Sequence, residues 1–373
     1  MASSQVMRQQ PLHIATGDGD GSAALTVTPA AVDMNFLNVA QPVTCAEMLK
    51  FERGGHLLTR GLFSAQEMAL LSPHIMAGFR ALELSALQQK VTVLLGEGAA
   101  PPGASAEDLL VLLRQLPPDE IPFLQVFNMW RTPGAHAAAV SALVRSRRLA
   151  RHAAALLGCQ AVRVYQDSTF VKRSGDGPTN WHSGINAQLW AAAAAPLRRH
   201  ERNRGDLNMA PFDTNDMVTA WLPLTHIAAC EDGGSGLVFA SRSHRDFALN
   251  YWQDPHAQED LSERYDETPQ LAMEPGDCSW HHGWVLHSAN GNDTPETRVA
   301  FTVSYIADGA RMLGEGAEHY PEQEGADHYP DQEDTWSYSD WIADTCPGEP
   351  ADHPFLPVAF DFAEEVGLEG LPL

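Results

Sequence analysis

The sequence predicts an α+β protein with a mainly β core, a jelly roll covered by a helical N-terminal shell. Three observations predict this fold. Residues 45–158 carry helix-capping signals and apolar runs, residues 161–306 contain several short β-rich segments, and Gly- and Pro-rich turns rather than long helices separate those segments. The 373 residues are 44% hydrophobic, so a full core of this kind can be built.

The helical shell is predicted from its start and stop signals. Ser64 and Glu67 form an S-x-x-E capping box in front of an apolar run, just after a short predicted strand in "GGHLLTRGLF". Ser105 is the predicted N-cap of a second helix, "SAEDLLVLLRQL". A further helix is predicted through "HAAAVSALVRSRRLARHAAALLG", and it should end at Gly158.

The β core is predicted from five segments that are rich in β-branched and aromatic residues. These segments are 161–173, 216–227, 236–244, 277–289 and 297–306. The turn signals "SGDGP", "EDGGSG", "EPGD" and "NGNDTPE" lie between them. Short strands with this punctuation are typical of a β-sandwich or barrel.

The flanks of the predicted core differ from it in composition. Residues 1–35 are polar and rich in Gly and Ala, so we expect a disordered leader. A single domain is expected over 36–310, and an acidic C-terminal extension, residues 311–373, is expected to pack on it. The extension contains two copies of a nine-residue unit, "AEHYPEQEG" and "ADHYPDQED", which are too few for a repeat fold.

The charge distribution limits the partners. The formal net charge is −24, and the residues from Met312 onward include sixteen acidic residues and no Lys or Arg. Because Lys and Arg drive binding to phosphate backbones and anionic surfaces, we expect no nucleic-acid or membrane partner. No apolar run approaches the length of a membrane span. A small-molecule substrate remains as the expected partner, and the oligomeric state stays open.

Cysteine use predicts the compartment. The five cysteines are Cys45, Cys159, Cys230, Cys278 and Cys346. They are scattered, odd in number and form no C-x-x-C pair, so they indicate reduced thiols rather than a disulfide framework. The prediction is a cytoplasmic protein, with organelle targeting left open.

The segment "TNWHS" contains half of a metal-binding motif. A His-x-Asp pair would need a carboxylate two residues after His182, but that position is Gly184. Residues 184–205 differ from their surroundings, with six Ala, four Arg and one Glu in an acidic chain. Removing them joins His182-Ser183 directly to Asp206. Residues i and i+2 of a strand share a face, so this pair could bind one metal together with a ligand from a distant strand.

The second half of the site is predicted in "MEPGDCSWHHGWVLHSANGNDTPETRVAF". His287 has apolar neighbours, as a ligand that points into a barrel would have, and Arg298 follows across a predicted hairpin turn. Antiparallel pairing of these strands would bring Arg298 near His287, where a buried guanidinium requires an anion such as a carboxylate. The adjacent His281 and His282 are expected to be structural or partly exposed.

With these residues, the chain resembles the phytanoyl-CoA dioxygenase family of Fe(II)/2-oxoglutarate oxygenases over roughly residues 45–310. The matching segments include "FERGGHLLTRGLFSAQE", "VYQDSTFVKRSGDGPTNWHS", "DLNMAPFDTNDMVTAWLPL" and "PGDCSWHHGWVLHSANGNDTPETRVAF". The resemblance implies a double-stranded β-helix, which is a jelly roll of the cupin type.

The resemblance also implies a site and a reaction. The implied iron ligands are His182, Asp206 and His287. The implied 2-oxoglutarate-binding residues are Gln166, Lys172, Trp221 and Arg298, with Arg298 on the far carboxylate. The implied cofactors are Fe(II), 2-oxoglutarate as cosubstrate, O2 and optionally ascorbate. The implied reaction is hydroxylation of a small organic or acyl substrate, coupled to decarboxylation of 2-oxoglutarate to succinate.

Two departures from the family pattern leave alternatives open. Since the insertion 184–205 splits the motif, the chain could be a catalytically impaired or non-enzymatic relative. Read without a deletion, His182-Ser183-Gly184 is similar to the His-x-Gly sequence of iron/2-oxoglutarate halogenases, in which a halide replaces the carboxylate. The second departure is Ala289, where many members have Ser or Thr. Loss of that hydroxyl would weaken cosubstrate binding modestly.

Overall fold

The structure is a computed structural model, and it describes residues 34–183, 210–246, 261–313, 338 and 341–365. All but the last two residues of the expected leader lie outside this part. The α-helices are α1 (Cys45–Gly54), α2 (Ala65–Leu95), α3 (Ala106–Leu113), α4 (Ala137–Val144), α5 (Arg147–Leu157), α6 (Leu261–Arg264) and α7 (Phe362–Glu365). The β-strands are β1 (His56–Thr59), β2 (Leu124–Phe127), β3 (Ala161–Lys172), β4 (Thr179–His182), β5 (Phe212–Asp213), β6 (Met217–Pro223), β7 (Leu237–Ala240), β8 (Glu267–Pro269), β9 (Cys278–His282), β10 (His287–Ala289), β11 (Arg298–Ala307), β12 (Arg311–Met312) and β13 (Val358–Asp361).

Local capping fixes where the first three helices begin. The side chains of Thr44, Ser64 and Ser105 each accept a hydrogen bond from the backbone N–H three residues later. The backbone N–H of each cap in turn donates to the acidic side chain at that position. These reciprocal bonds satisfy backbone donors that a helix end leaves unpaired. The caps predicted at Ser64 and Ser105 are therefore confirmed.

The single helix predicted through residues 136–158 is wrong, because the chain forms two helices, α4 and α5. Ser146 separates them with an extended backbone, and its hydroxyl accepts a hydrogen bond from the N–H of Leu149. A serine side chain that bonds the local backbone competes with helix continuation and favours a new N-cap. Gly158 ends α5 in the left-handed conformation, as predicted.

The strands form two larger antiparallel sheets. The major sheet has the order β1-β9-β6-β11-β3-β13, and β2 also pairs with β3. The minor sheet has the order β4-β10-β7-β8, and β5 and β12 form a separate pair. The predicted fold class, α+β with a mainly β core, is confirmed, and this sheet arrangement is consistent with a jelly roll.

Each face of the major sheet packs against a different layer. Its outer face, which includes Trp280 and Phe301, joins the large core that helices α2, α4 and α5 complete. Its inner face meets the minor sheet through a smaller cluster, which includes Trp221 and Ala300 of the major sheet and Phe239 and Ala289 of the minor sheet. All seven residues of β6 are buried, since both of its faces are covered. The inner face is where polar residues collect.

Two strand predictions near the second half of the motif are wrong. Residues 277–289 form two strands, β9 in the major sheet and β10 in the minor sheet, rather than one. The predicted hairpin between β10 and β11 is also absent, because β11 pairs with β3 and β6. Asn292 explains the crossing between sheets. Its side-chain amide donates to the carbonyls of Lys172 and Glu296 and so anchors the connection to the end of β3.

The C-terminal part of the described chain contacts the core. Strand β13 pairs with the start of β3, and the buried Trp341 ring lies near Phe212. Glu365 in α7 accepts hydrogen bonds from Arg147 and Arg151 of α5.

All five cysteines are free thiols. Within the described part, no helix combines the length and apolar character needed to cross a membrane.

Candidate metal and anion site

Two histidines meet where strands β4 and β10 pair. His182 ends β4, His287 begins β10, and the antiparallel ladder makes them direct partners. Their ring centroids are 4.2 Å apart. His287 is 5% exposed, while His182 is half-buried at the end of its strand. Strand register therefore brings the two predicted imidazole ligands together across 105 positions of sequence.

Hydrogen bonds to the backbone set the tautomer of both rings. Nδ1 of His182 lies 2.8 Å from the carbonyl oxygen of Asn180, and Nδ1 of His287 lies 3.0 Å from that of Val285. Because a carbonyl oxygen can only accept, each Nδ1 carries the proton and each Nε2 keeps its lone pair. Metal-binding histidines commonly have this arrangement. The two rings are thus oriented as metal ligands would be.

Burial also keeps these two imidazoles neutral. Desolvation lowers the pKa of His182. For His287, desolvation and then the neighbouring rings of His182 and His281 lower the pKa well below its ordinary value. A neutral imidazole is the form that binds a metal. The electrostatics of the site therefore agree with its geometry.

A third ring, His281, also lies next to His287. The two ring centroids are 4.6 Å apart, and His281 is 4% exposed. The expectation that His281 is structural or partly exposed treated it together with His282, but the two side chains leave β9 on opposite faces. His282 faces the shell and contacts Phe51 and His244. Alternation along β9 could have separated the two histidines in the sequence, because His282 shares a face with the outward-facing Cys278 and Trp280 and His281 does not.

The predicted carboxylate ligand, Asp206, lies outside the described residues, as does the insertion 184–205. Ser183, the last described residue before the insertion, is fully buried. Among the side chains that the structure describes, no group of three or more His, Cys, Asp or Glu is arranged to hold a metal ion. The structure thus brings together His182 and His287 of the predicted triad.

Two buried cations form the second part of the site. Lys172 ends β3 and Arg298 begins β11, and they are direct partners in the ladder. The guanidinium of Arg298 lies 5.3 Å from the centroid of the Trp221 ring and donates to the carbonyl of Ser235. The ammonium of Lys172 donates to the carbonyls of Gly177 and Asn290, at 2.8 and 2.6 Å. Arg298 reaches the interior as predicted, although through pairing with β3 instead of a hairpin with β10.

This pair of cations lacks a matching anion among the described residues. Nε of Arg298 is buried and has no hydrogen-bond partner there. Burial, followed by the charge of Arg298, lowers the pKa of Lys172 to about 7, and burial lowers that of Arg298 to about 10. The half-buried Asp176 opposes both shifts. A buried guanidinium with an unused N–H is costly unless a ligand supplies an acceptor, and a carboxylate matches its planar fork.

Hydroxyl groups and an amide occupy the inner face of the major sheet at the level of His281. Thr219 on β6 and Ser304 on β11 share a hydrogen bond of 2.9 Å, and Ser304 is the ladder partner of Gln166 on β3. The side chain of Gln166 is 6% exposed and makes no hydrogen bond to a described residue. Sequence reasoning selected Gln166 but missed Thr219 and Ser304. Period-2 alternation would have placed them on the inner face, counted from Trp221 for Thr219 and from Arg298 for Ser304.

Ala289 lies in the apolar cluster between the sheets, against Trp221 and Ala300. The neighbouring Ser288 points to the opposite face of β10, since successive strand residues alternate. The hydroxyl of Ser288 therefore does not replace the one that Ala289 lacks.

The comparisons with known proteins agree with this geometry. Residues 125–300 match the family described as "Phytanoyl-CoA dioxygenase (PhyH)", and the resemblance seen in the sequence is confirmed. This range contains nearly all of β2, then β3 to β10 and the start of β11, and so every described residue of the candidate site except Ser304. No curated protein matches the sequence significantly.

Several solved structures share the fold. The non-heme α-ketoglutarate-dependent carbocyclase SnoK from nogalamycin biosynthesis has a TM-score of 0.51 and 18% identity, over 85% of this chain and 96% of that one. The epimerase SnoN, in complex with Fe3+, α-ketoglutarate and nogalamycin RO, has a TM-score of 0.52 and 17% identity, over 84% of this chain and 98% of that one. At this level of identity the likeness establishes the fold.

Proposed function

We propose, from the match of residues 125–300 to the phytanoyl-CoA dioxygenase family, that the protein is an Fe(II)/2-oxoglutarate-dependent dioxygenase. It would hydroxylate a small organic or acyl substrate and convert 2-oxoglutarate to succinate and carbon dioxide. SnoK and SnoN, which share the fold, are described as α-ketoglutarate-dependent, and the SnoN complex contains iron and α-ketoglutarate. The observation that carries the proposal is the pairing of His182 with His287, two imidazoles held as metal ligands.

The residues present fit the iron. Nε2 of His182 and Nε2 of His287 each keep a lone pair, because Nδ1 of each ring donates to a backbone carbonyl. Asp206 would complete a two-histidine, one-carboxylate set, which leaves open positions for cosubstrate and oxygen. Bound there, iron would supply the oxidation chemistry, whereas the protein orients the reactants and excludes water.

The residues also fit 2-oxoglutarate. The unpartnered Nε of Arg298 offers a hydrogen bond to a carboxylate, and Lys172 adds a second positive charge beside it. Trp221 lies against the guanidinium and limits its orientation. Gln166 lies on the same strand as Lys172 and, through Ser304 and Thr219, in ladder register with His281, where its amide would contact the cosubstrate near the metal. Together these side chains would hold the five-carbon dicarboxylate with its keto acid end at the metal.

The domain organisation follows from the same proposal. A single oxygenase domain would span residues 36–310, and residues 311–373 would form an acidic extension that packs on it. Pairing of β13 with β3 and burial of Trp341 support this division.

The first test measures succinate formed from 2-oxoglutarate in the presence of Fe(II) and oxygen. We expect iron-dependent succinate release by the full chain, and loss of that release in His182→Ala and in His287→Ala. A second form, from which residues 184–205 are deleted, tests whether the insertion affects succinate release. If neither form releases succinate while both bind iron, the chain is a catalytically impaired relative and the proposed activity is wrong.

The anion site has its own test. Arg298→Gln removes the buried charge and should weaken 2-oxoglutarate binding by about 10- to 150-fold, the equivalent of about 1.5–3 kcal/mol for hydrogen bonds to a charged group. The matched control is Arg163→Gln, because Arg163 also lies on the major sheet but pairs with Asp308 and Asp352 at the surface. Unchanged 2-oxoglutarate affinity in the Arg298 variant would contradict the assignment.

Repeating the turnover with chloride present would reveal a halogenase by its chlorinated product.

A further inference from the structure

His281 is an imidazole without a hydrogen-bond partner inside the candidate site. It is 4% exposed, and its Nδ1 is buried without a hydrogen-bond partner among the residues that the structure describes. Its ring contacts His287 and Phe239 on the minor sheet, across the space between the two sheets. A buried polar group of this kind costs free energy unless a ligand or water satisfies it.

Three neighbouring histidines have hydrogen-bond partners, so the lack of a partner distinguishes His281 from the rings around it. His182 and His287 each donate Nδ1 to a backbone carbonyl and keep only one nitrogen for a ligand. His56, which lies beside His281 in the ladder, is bonded to the hydroxyl of Ser241 at 2.7 Å. Of these four inner-face histidines, His281 is therefore the one with a buried ring nitrogen that has no hydrogen-bond partner among the described residues.

The neighbour of His281 on the adjacent strand of the major sheet is polar. Its partner on β6 is Thr219, whose hydroxyl is already bonded to Ser304. The aromatic ring of Phe239 closes the other side. A ligand that satisfies His281 must therefore occupy the space beside His287, which is the space next to the proposed metal.

We propose that His281 hydrogen-bonds the exchangeable, non-protein ligand in the open coordination position of the metal. The inference rests on the proposed function, because it requires a metal held by His182 and His287. It assigns His281 a role distinct from ligation, in agreement with the finding that no three described His, Cys, Asp or Glu side chains form a metal-binding group. A small ligand with lone pairs, bound at the metal, would accept from the imidazole N–H. The hydrogen bond would hold such a ligand in one orientation within a closed pocket.

The test uses azide as the probe and Co(II) as a spectroscopically visible replacement for Fe(II). The full-length protein is loaded with Co(II), azide is titrated, and the visible absorption of Co(II) reports binding. Azide accepts hydrogen bonds and occupies open coordination positions. His281→Phe should retain Co(II) but bind azide about tenfold more weakly, since outer-sphere partners of metal sites commonly change affinity 10- to 100-fold. His281→Gln, which keeps an N–H near the position of Nε2, should recover most of the affinity.

A matched control comes from the other face of the same region. His152 on α5 is 1% exposed, has two buried ring nitrogens without a partner among the described residues, and stacks on Trp280 of β9. His152→Phe should leave azide affinity unchanged. Thermal unfolding of the metal-free variants verifies that each folds, and His281→Phe should be at least as stable as the parent, because it removes a buried polar group that lacks a partner.

The outcomes separate the inference from the function on which it rests. Failure of the parent protein to bind Co(II) overturns the proposed metal site itself. Normal Co(II) binding with equal azide affinity in the parent and His281→Phe leaves the metal site intact and overturns the role of His281. Weaker azide binding in both His281→Phe and His281→Gln, with no change in His152→Phe, would indicate a packing effect and would also overturn the hydrogen bond.

Discussion

The buried histidine of the helical shell gives a quantitative prediction about acid stability. His152 stacks on the indole of Trp280, with ring centroids 4.9 Å apart and an interplanar angle of 5°. Burial lowers its pKa from 6.5 to about 4, with a small opposing effect of Glu47 and a further lowering by Arg151. The folded protein therefore keeps this ring neutral at pH values where the unfolded chain protonates it.

The sign and size of the effect follow from linkage. A folded pKa below the unfolded one means that stability is full above pH 6.5 and is lost as pH falls toward 4. Between pH 7.5 and 5.5 the loss from this one group is about 1.3 kcal/mol, and by pH 4 it approaches about 3 kcal/mol. His152→Phe keeps the stacking and removes the titration, so it should lose about 1.3 kcal/mol less than the parent over that pH range.

The assay is urea unfolding of parent and variant at pH 7.5 and 5.5, followed by tryptophan fluorescence and far-UV circular dichroism. The comparison between proteins matters because other groups titrate in the same range. Burial raises the pKa of Asp167 to about 7, for example, so the contribution of this group to the stability of the protein falls as pH rises. That contribution is the same in the parent and in the variant. Equal losses in parent and variant would show that His152 is already solvated or partnered, and the reasoning would fail.

Three further substitutions test the fold. Gly276→Ala should cost at least about 1–3 kcal/mol of unfolding free energy, because Gly276 has φ +107° and an added Cβ would lie 2.2 Å from the carbonyl oxygen of Phe63. The control Gly309→Ala, at φ +88° with open space around it, should cost less in the same urea titration. Tyr305→Phe should cost about 1–3 kcal/mol, since the buried hydroxyl donates to the carbonyl of Val144 at 2.8 Å, and an unchanged urea midpoint would contradict this. Ser64→Ala removes a helix cap and should cost about 1 kcal/mol, whereas a loss below about 0.3 kcal/mol would indicate that the cap is not stabilising.

Features that depend on neighbouring residues could be predicted from the sequence. The caps at Ser64 and Ser105 and the end of α5 at Gly158 follow from bonds within one helical turn. The β-rich segments were found because alternation and turn residues are also local signals. The interruption at Ser146 was missed because an alanine-rich sequence favours helix on both sides of it.

Features that depend on which strands pair could not be predicted in the same way. The chain between His287 and Arg298 resembles a hairpin turn, but Asn292 anchors it to β3 and each strand finds partners far away in sequence. His281 was grouped with His282 because both are histidines in one short segment. Alternation along β9 places the two side chains on opposite faces, and the pairing of β9 with β1 and β6 then shows that the face of His281 is turned to the other sheet.

The direct pairing of His182 with His287 means that the distance between the two imidazoles is set by backbone hydrogen bonds of the minor sheet. A slip of β4 by a single residue would reverse the direction of His182 and separate the rings. The segment after Ser183 could therefore vary in length during evolution without altering the spacing of these two nitrogens. If the proposed metal site is correct, selection on its two histidines would act on strand alignment, and the inserted residues would be tolerated according to whether they allow Asp206 to reach the metal.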